Sequence, residues 1–85
     1  MREIVVDTRD LEPPAPMQLV LSELQSMLPG ESFVHQIHRM EPVMLFNRLG
    51  PMGIEYEMKK IGSDYHIYYF YPEDRAKVLE HVSRS

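Results

Sequence analysis

Hydrophobic spacing and a regular punctuation of prolines and glycines divide this chain into short elements. Glu3-Ile4-Val5-Val6-Asp7 is brief and β-branched and predicts a strand. Thr8 to Ala15 is a proline-rich connection, and Pro16 suits a first helical turn, where its missing N–H costs nothing. Met17, Val20, Leu21, Leu24, Met27 and Leu28 then form one helical face, and Pro29-Gly30 ends it. Ser32 to Met40 predicts a second strand. Phe33, His35, Ile37 and Arg39 share one side of it; Val34, Gln36, His38 and Met40 share the other. Glu41-Pro42 opens a short helix with the stripe Leu45, Phe46 and Leu49, stopped by Gly50-Pro51-Met52-Gly53. Ile54 to Ile61 predicts a third strand, Gly62-Ser63-Asp64 a hairpin turn, and Tyr65 to Tyr71 an aromatic fourth strand ended by Pro72. Glu73 to Val82 predicts a last helix with Ala76, Leu79 and Val82 on one face.

The order β-α-β-α-β-β predicts an α+β two-layer sandwich, a single domain over residues 1–85 with its core over about 3–71 and an extra C-terminal helix over about 73–82. A strand–helix–strand unit makes a parallel pair by a right-handed crossover, and the last two strands make an antiparallel hairpin. The sheet is therefore mixed and four-stranded, with two helices on one face. The fourth strand presents Tyr65, Ile67, Tyr69 and Tyr71 on one side and His66, Tyr68 and Phe70 on the other. Two helices cover one face only. The aromatics of the second face call for the C-terminal helix, a protein partner or a second copy of the chain.

Composition narrows the functions open to such a domain. A chain of 85 residues supports one modest core. No apolar run approaches the roughly 20 residues that span a bilayer. The net charge of −4 and the scattered basic residues argue against a nucleic-acid partner, whose phosphates need clustered Lys and Arg. With no cysteine there is no thiolate metal site and no thiol nucleophile. A cytoplasmic location is the default expectation, and no cofactor is implied.

Three motifs in order carry a family resemblance: Val6-Asp7-Thr8-Arg9-Asp10-Leu11, then Glu12-Pro13-Pro14-Ala15-Pro16-Met17, then Leu28-Pro29-Gly30-Glu31. They resemble the TusA/SirA-like sulfur carriers, in which Asp-x-Arg-Gly-Leu leads into Cys-Pro-x-Pro and a helix ending near Pro-Gly-Glu. Pro14 and Pro16 match the family's prolines, so Pro13 stands where the reactive cysteine would be. The resemblance implies the fold and not the sulfur relay. Together with His38-Arg39-Met40-Glu41-Pro42, the pattern Leu-x-Pro-Pro-x-Pro is similar to a cysteine-less, uncharacterised sister branch. Members of that branch sometimes accompany haemerythrin-like or nitrogen-oxide-metabolism proteins.

The candidate partner- or ligand-binding residues are Asp7, Arg9, Glu12, Pro13, Pro14, Pro16, His38, Arg39 and Glu41. In a parallel pair, the loops after the first two strands meet at one end of the sheet, where open α/β sheets bind ligands. A convergence of Asp7, Arg9, His38 and Arg39 is expected there, with a salt-bridge and capping network as the structural alternative. The proline run offers a rigid docking loop, or simply fixes the entry of the helix. His35 and His38 fall on opposite sides of a strand and do not chelate together. His66, on another strand, is free to join either one. His38 and His66 with Glu41 or Glu57 are the candidates for a metal site, since imidazole suits several transition metals. The expected function is a non-enzymatic protein-binding or regulatory module, with self-association as one form of partner. The alternative is a His-based metal or small-ligand protein of redox or nitrogen-oxide metabolism. An enzyme using Asp7, His38 or Glu41 as acid or base is a further class that no motif demands.

Overall fold

The computed structural model describes residues 1–84. Its elements are β1 (Arg2–Asp7), α1 (Ala15–Ser26), β2 (Ser32–His38), α2 (Val43–Met52), β3 (Glu55–Ile61), β4 (Asp64–Phe70) and, after a 3-10 turn at Pro72–Asp74, α3 (Arg75–Ser83). The sheet runs β1-β2-β4-β3, with β1 parallel to β2 and the other pairs antiparallel. The β-α-β-α-β-β order, the mixed four-stranded sheet and the added C-terminal helix are those read from the sequence.

Strand alternation separates two apolar clusters. On one face, Val6, Val34, Ile67 and Tyr69 of the sheet meet Val20 and Leu24 of α1 and Leu45 and Leu49 of α2. On the other, Phe33, Tyr68 and Phe70 meet Val78 of α3, with Val82 packed beside them. The C-terminal helix thus covers the end of the second face that carries Phe33 and Phe70. Its buried side chain is Val78, one turn before Val82, whereas Leu79 is 37% exposed and Ala76 is exposed. The expected face of Ala76, Leu79 and Val82 is corrected by this docking: the preceding 3-10 turn rotates the helix before it reaches the sheet. Asp74, buried at that turn, accepts the Gly30 N–H at 2.8 Å and ties the start of α3 to the α1–β2 connection.

Two boundaries also differ from the sequence reading. α1 ends at Ser26, so Leu28 lies beyond it and is 56% exposed rather than part of the apolar face. α2 continues through Gly50 and Pro51 to Met52. Its stop is Gly53, at φ 69°, with the Gly53 N–H on Gly50 O at 3.0 Å and the Ile54 N–H on Leu49 O at 3.1 Å. That is a helix end built on a left-handed residue, which glycine adopts without steric cost.

Removing two methyl groups at the buried contact of α3 tests this arrangement. Val78→Ala is expected to cost about 2 kcal/mol, from lost transfer energy and a residual cavity. The midpoint of urea unfolding checks it; an unchanged midpoint would mean that α3 does not pack on Phe33 and Phe70.

Candidate functional site

The carboxyl ends of β1 and β2 and the amino end of β4 lie at one end of the sheet, since Asp7 pairs with Ile37 and His38 with Tyr65. A hydrogen-bonded chain reaches this end from inside the core. Tyr69 Oη donates to Gln36 Oε1 at 2.7 Å, and Gln36 Nε2 donates to Thr8 Oγ1 at 3.0 Å. All three residues are fully buried. The Thr8 hydroxyl donates to Ile37 O at 3.1 Å and meets His38 Nδ1 at 2.9 Å. His38 Nδ1 also lies 3.2 Å from Thr8 O, a carbonyl that can only accept. Nδ1 therefore carries the proton, and in neutral His38 the open lone pair is on Nε2. Among the described residues, no buried side-chain nitrogen or oxygen lacks a partner. Burial pushes the Tyr69 phenol far above its ordinary value, so it stays a donor.

The connection after β1 is held to its neighbours by ion pairs. Arg9 contacts Asp7 at 2.7 Å and Asp64, at the start of β4, at 3.1 Å. Hydrogen bonds from the Arg9 side chain and backbone hold the Asp7 carboxyl down at about 2. Both partners are well exposed, so these bonds orient the loop more than they stabilise the fold. Arg39 Nη2 reaches Glu12 Oε1 at 3.2 Å and Leu11 O at 3.4 Å, linking the β2–α2 loop to the proline loop. Pro13 and Pro14 are exposed and joined by a cis peptide; Pro16 is buried in the first turn of α1. Glu41 is exposed.

Asp7, Arg9, Glu12, Pro13, Pro14, His38, Arg39 and Glu41 therefore share one end of the molecule, but in separate groups. Arg9 binds both Asp7 and Asp64, Arg39 binds Glu12, and His38 binds Thr8. His38 and His66, the candidates for a metal site, are not brought together. The register sets His66 beside Ile37 and Tyr65 beside His38, so the two histidines stand on opposite faces of the sheet. Among the described residues, no group of three His, Cys, Asp or Glu side chains is placed to hold a metal ion.

His66 joins His35 instead, on the part of the second face that α3 leaves open. The Glu3 carboxylate accepts from His35 Nδ1 at 2.8 Å, and His35 Nε2 lies 2.8 Å from His66 Nδ1. With Glu3 accepting, neutral His35 accepts from His66. The His35 ring stacks on Tyr68 at 4.4 Å. Partial burial and then the charges of His35 and Lys59 lower the affinity of His66 for a proton. Sequence reasoning missed Glu3, Thr8, Gln36, Asp64 and Tyr69 as site residues. Gln36 alone carried a signal: an amide on the side of β2 that also holds Val34.

These features define a small cysteine-less α+β protein whose loop contacts gather at one end of its sheet. The chain belongs to the family described as an uncharacterized conserved protein (DUF2249), whose model matches residues 5–68, ending within β4 and before α3. No curated protein and no solved structure matches it.

A lowered proton affinity at His66 has a definite sign in stability. The unfolded chain takes up this proton near the ordinary value of 6.5, and the folded chain only at lower pH. The contribution is full above 6.5 and is lost as pH falls through the folded value. His66→Gln is therefore expected to flatten the loss of stability between about pH 7 and pH 5, measured as urea midpoints. Parallel pH profiles for the two proteins would contradict it.

Proposed function

We propose that the protein is a non-enzymatic protein-binding or regulatory module of the cytoplasm, on a sulfur-carrier-like scaffold without sulfur-transfer chemistry. The element order, and the spacing of Asp7-Thr8-Arg9-Asp10-Leu11 to Pro14-Ala15-Pro16, support that kinship. Without a cysteine, the chain cannot act as a cysteine-dependent sulfurtransferase. The observation that carries the reading is apolar surface on a tethered loop and the first turn of the helix that follows it. Met40 on the β2–α2 loop and Val43 and Met44 in the first turn of α2 are 63%, 55% and 75% exposed, and the exposed Pro13 and Pro14 belong to the connection that Arg39 ties to the β2–α2 loop. Methionines adapt to a partner's shape, and a loop ordered in advance loses little entropy on binding. The partner that fits is a protein with an apolar surface flanked by charges of both signs, to match Arg9, Asp10, Glu12, Arg39 and Glu41 around the patch.

A photo-crosslinking side chain placed at Met44 in cells tests this. A discrete adduct is expected from position 44, lost when Val43→Asp is added. Position 28, 56% exposed on the connection after α1, is expected to give none. Equal labelling from both positions, or no adduct from position 44, would contradict the assignment.

A second reading has its own observation, the open Nε2 of a His38 whose Nδ1 is committed to Thr8. A fixed imidazole lone pair at the carboxyl end of a strand suits a small ligand that donates a hydrogen bond. It predicts ligand mass on the gently purified protein in native mass spectrometry, absent from His38→Ala; identical ligand content in that variant would remove the site.

A further inference from the structure

β3 ends the sheet, and among the described residues nothing pairs with its outer edge. The strand Glu55-Tyr56-Glu57-Met58-Lys59-Lys60-Ile61 is exposed or partly exposed throughout. Such an edge is a template for another strand. Its long side chains are drawn back over β4 and α3: Lys59 Nζ lies 5.7 Å from the Tyr68 ring centre and Lys60 Nζ 5.5 Å from that of Tyr65, while Arg75 holds Glu55 and Glu57.

The charges along this edge change sign midway, from acidic to basic. In two copies paired antiparallel about a twofold axis normal to the sheet, like faces stay together. Residues directly opposite then have numbers of equal parity. Three central registers are available. Centring on Glu57 sets two glutamates opposite each other, and centring on Lys59 sets two lysines opposite. Centring on Met58 places Glu57 opposite Lys59 and Tyr56 opposite Lys60, each twice by symmetry, with Met58 against Met58 on the axis. It is the register of the three that is free of like-charge pairs. The other edge strand, β1, has no comparable solution: centring on Val5 opposes Glu3 to Asp7, and centring on Ile4 opposes Arg2 and Glu3 to valines.

We infer that β3 is a self-recognition edge: it pairs antiparallel with β3 of a second copy in the Met58-centred register, making one continuous sheet through both. This surface is separate from the loops at the ends of β1 and β2 and goes beyond the docking role assigned to them, so the failure of either assignment leaves the other standing.

Sedimentation of the full chain over rising concentration tests it. The wild type is expected to show a monomer–dimer equilibrium. Glu57→Lys sets lysines at 57 and 59 opposite each other, and Lys59→Glu sets glutamates there. Each is expected to weaken the dimer roughly tenfold or more while circular dichroism shows a native fold. An equimolar mixture of the two variants is expected to restore a dimer, because lysines on one copy then face glutamates on the other. The double variant Glu57→Lys/Lys59→Glu is expected to dimerise like the wild type. A wild type that stays monomeric at every concentration, a dimer unaffected by both single substitutions, or a mixture that stays monomeric overturns the inference.

Discussion

A phenol in the middle of the core determines how this molecule is organised. Tyr69 is fully buried, and its hydroxyl needs an acceptor there; Gln36 supplies one and is left needing an acceptor of its own. Thr8 completes the chain and passes it to the end of the sheet through Ile37 O and His38. Buried polar groups are costly when unpaired and specific when paired. The chain from Tyr69 to His38 therefore fixes the register of β1, β2 and β4 at the point where their loops begin. The loop ion pairs of Arg9 and Arg39 are exposed and weak by comparison. They orient surfaces whose position the buried chain has already set.

The two faces of the sheet solve different problems. One is sealed by α1 and α2 over an aliphatic core. The other is sealed by α3 at its Phe33 and Phe70 end, and the remainder is occupied by a hydrogen-bonded series, Glu3, His35 and His66. The His35 imidazole suits that place because it stacks on Tyr68 while both its nitrogens stay bonded. Both outer strands remain as edges, and along β3 the charge changes sign midway.

Much of this was legible in the sequence, for identifiable reasons. Prolines and glycines delimited the elements, and alternation in β2 and β4 assigned their faces correctly, including the separation of His35 from His38. The reach of α2 was not legible, because Pro51 falls in the last turn and Gly53 is the residue that takes the left-handed conformation. The buried side of α3 was hidden because Val78, Leu79 and Val82 fit more than one helical face, and the 3-10 turn sets the rotation. At the site, proximity of the loops followed from the parallel pairing of β1 and β2. Thr8 and Tyr69 gave no signal, since their roles depend on contacts between residues far apart in the chain. The pairing of His66 with His35 rather than His38 depended on the register of β2 against β4.

Amide hydrogen exchange in the wild type and in Tyr69→Phe tests most directly whether the buried chain holds the loops. The Thr8 N–H on Ile37 O and the Leu11 N–H on Thr8 O report on that end of the sheet, and the β3–β4 hairpin serves as an internal reference. Removing the phenol hydroxyl leaves Gln36 Oε1 without its donor. Protection at Thr8 and Leu11 is expected to fall well below that of the hairpin, while the hairpin keeps its own. Uniform loss across both regions, or no change at Thr8 and Leu11, would mean that the loops are held by their surface ion pairs and not from the core.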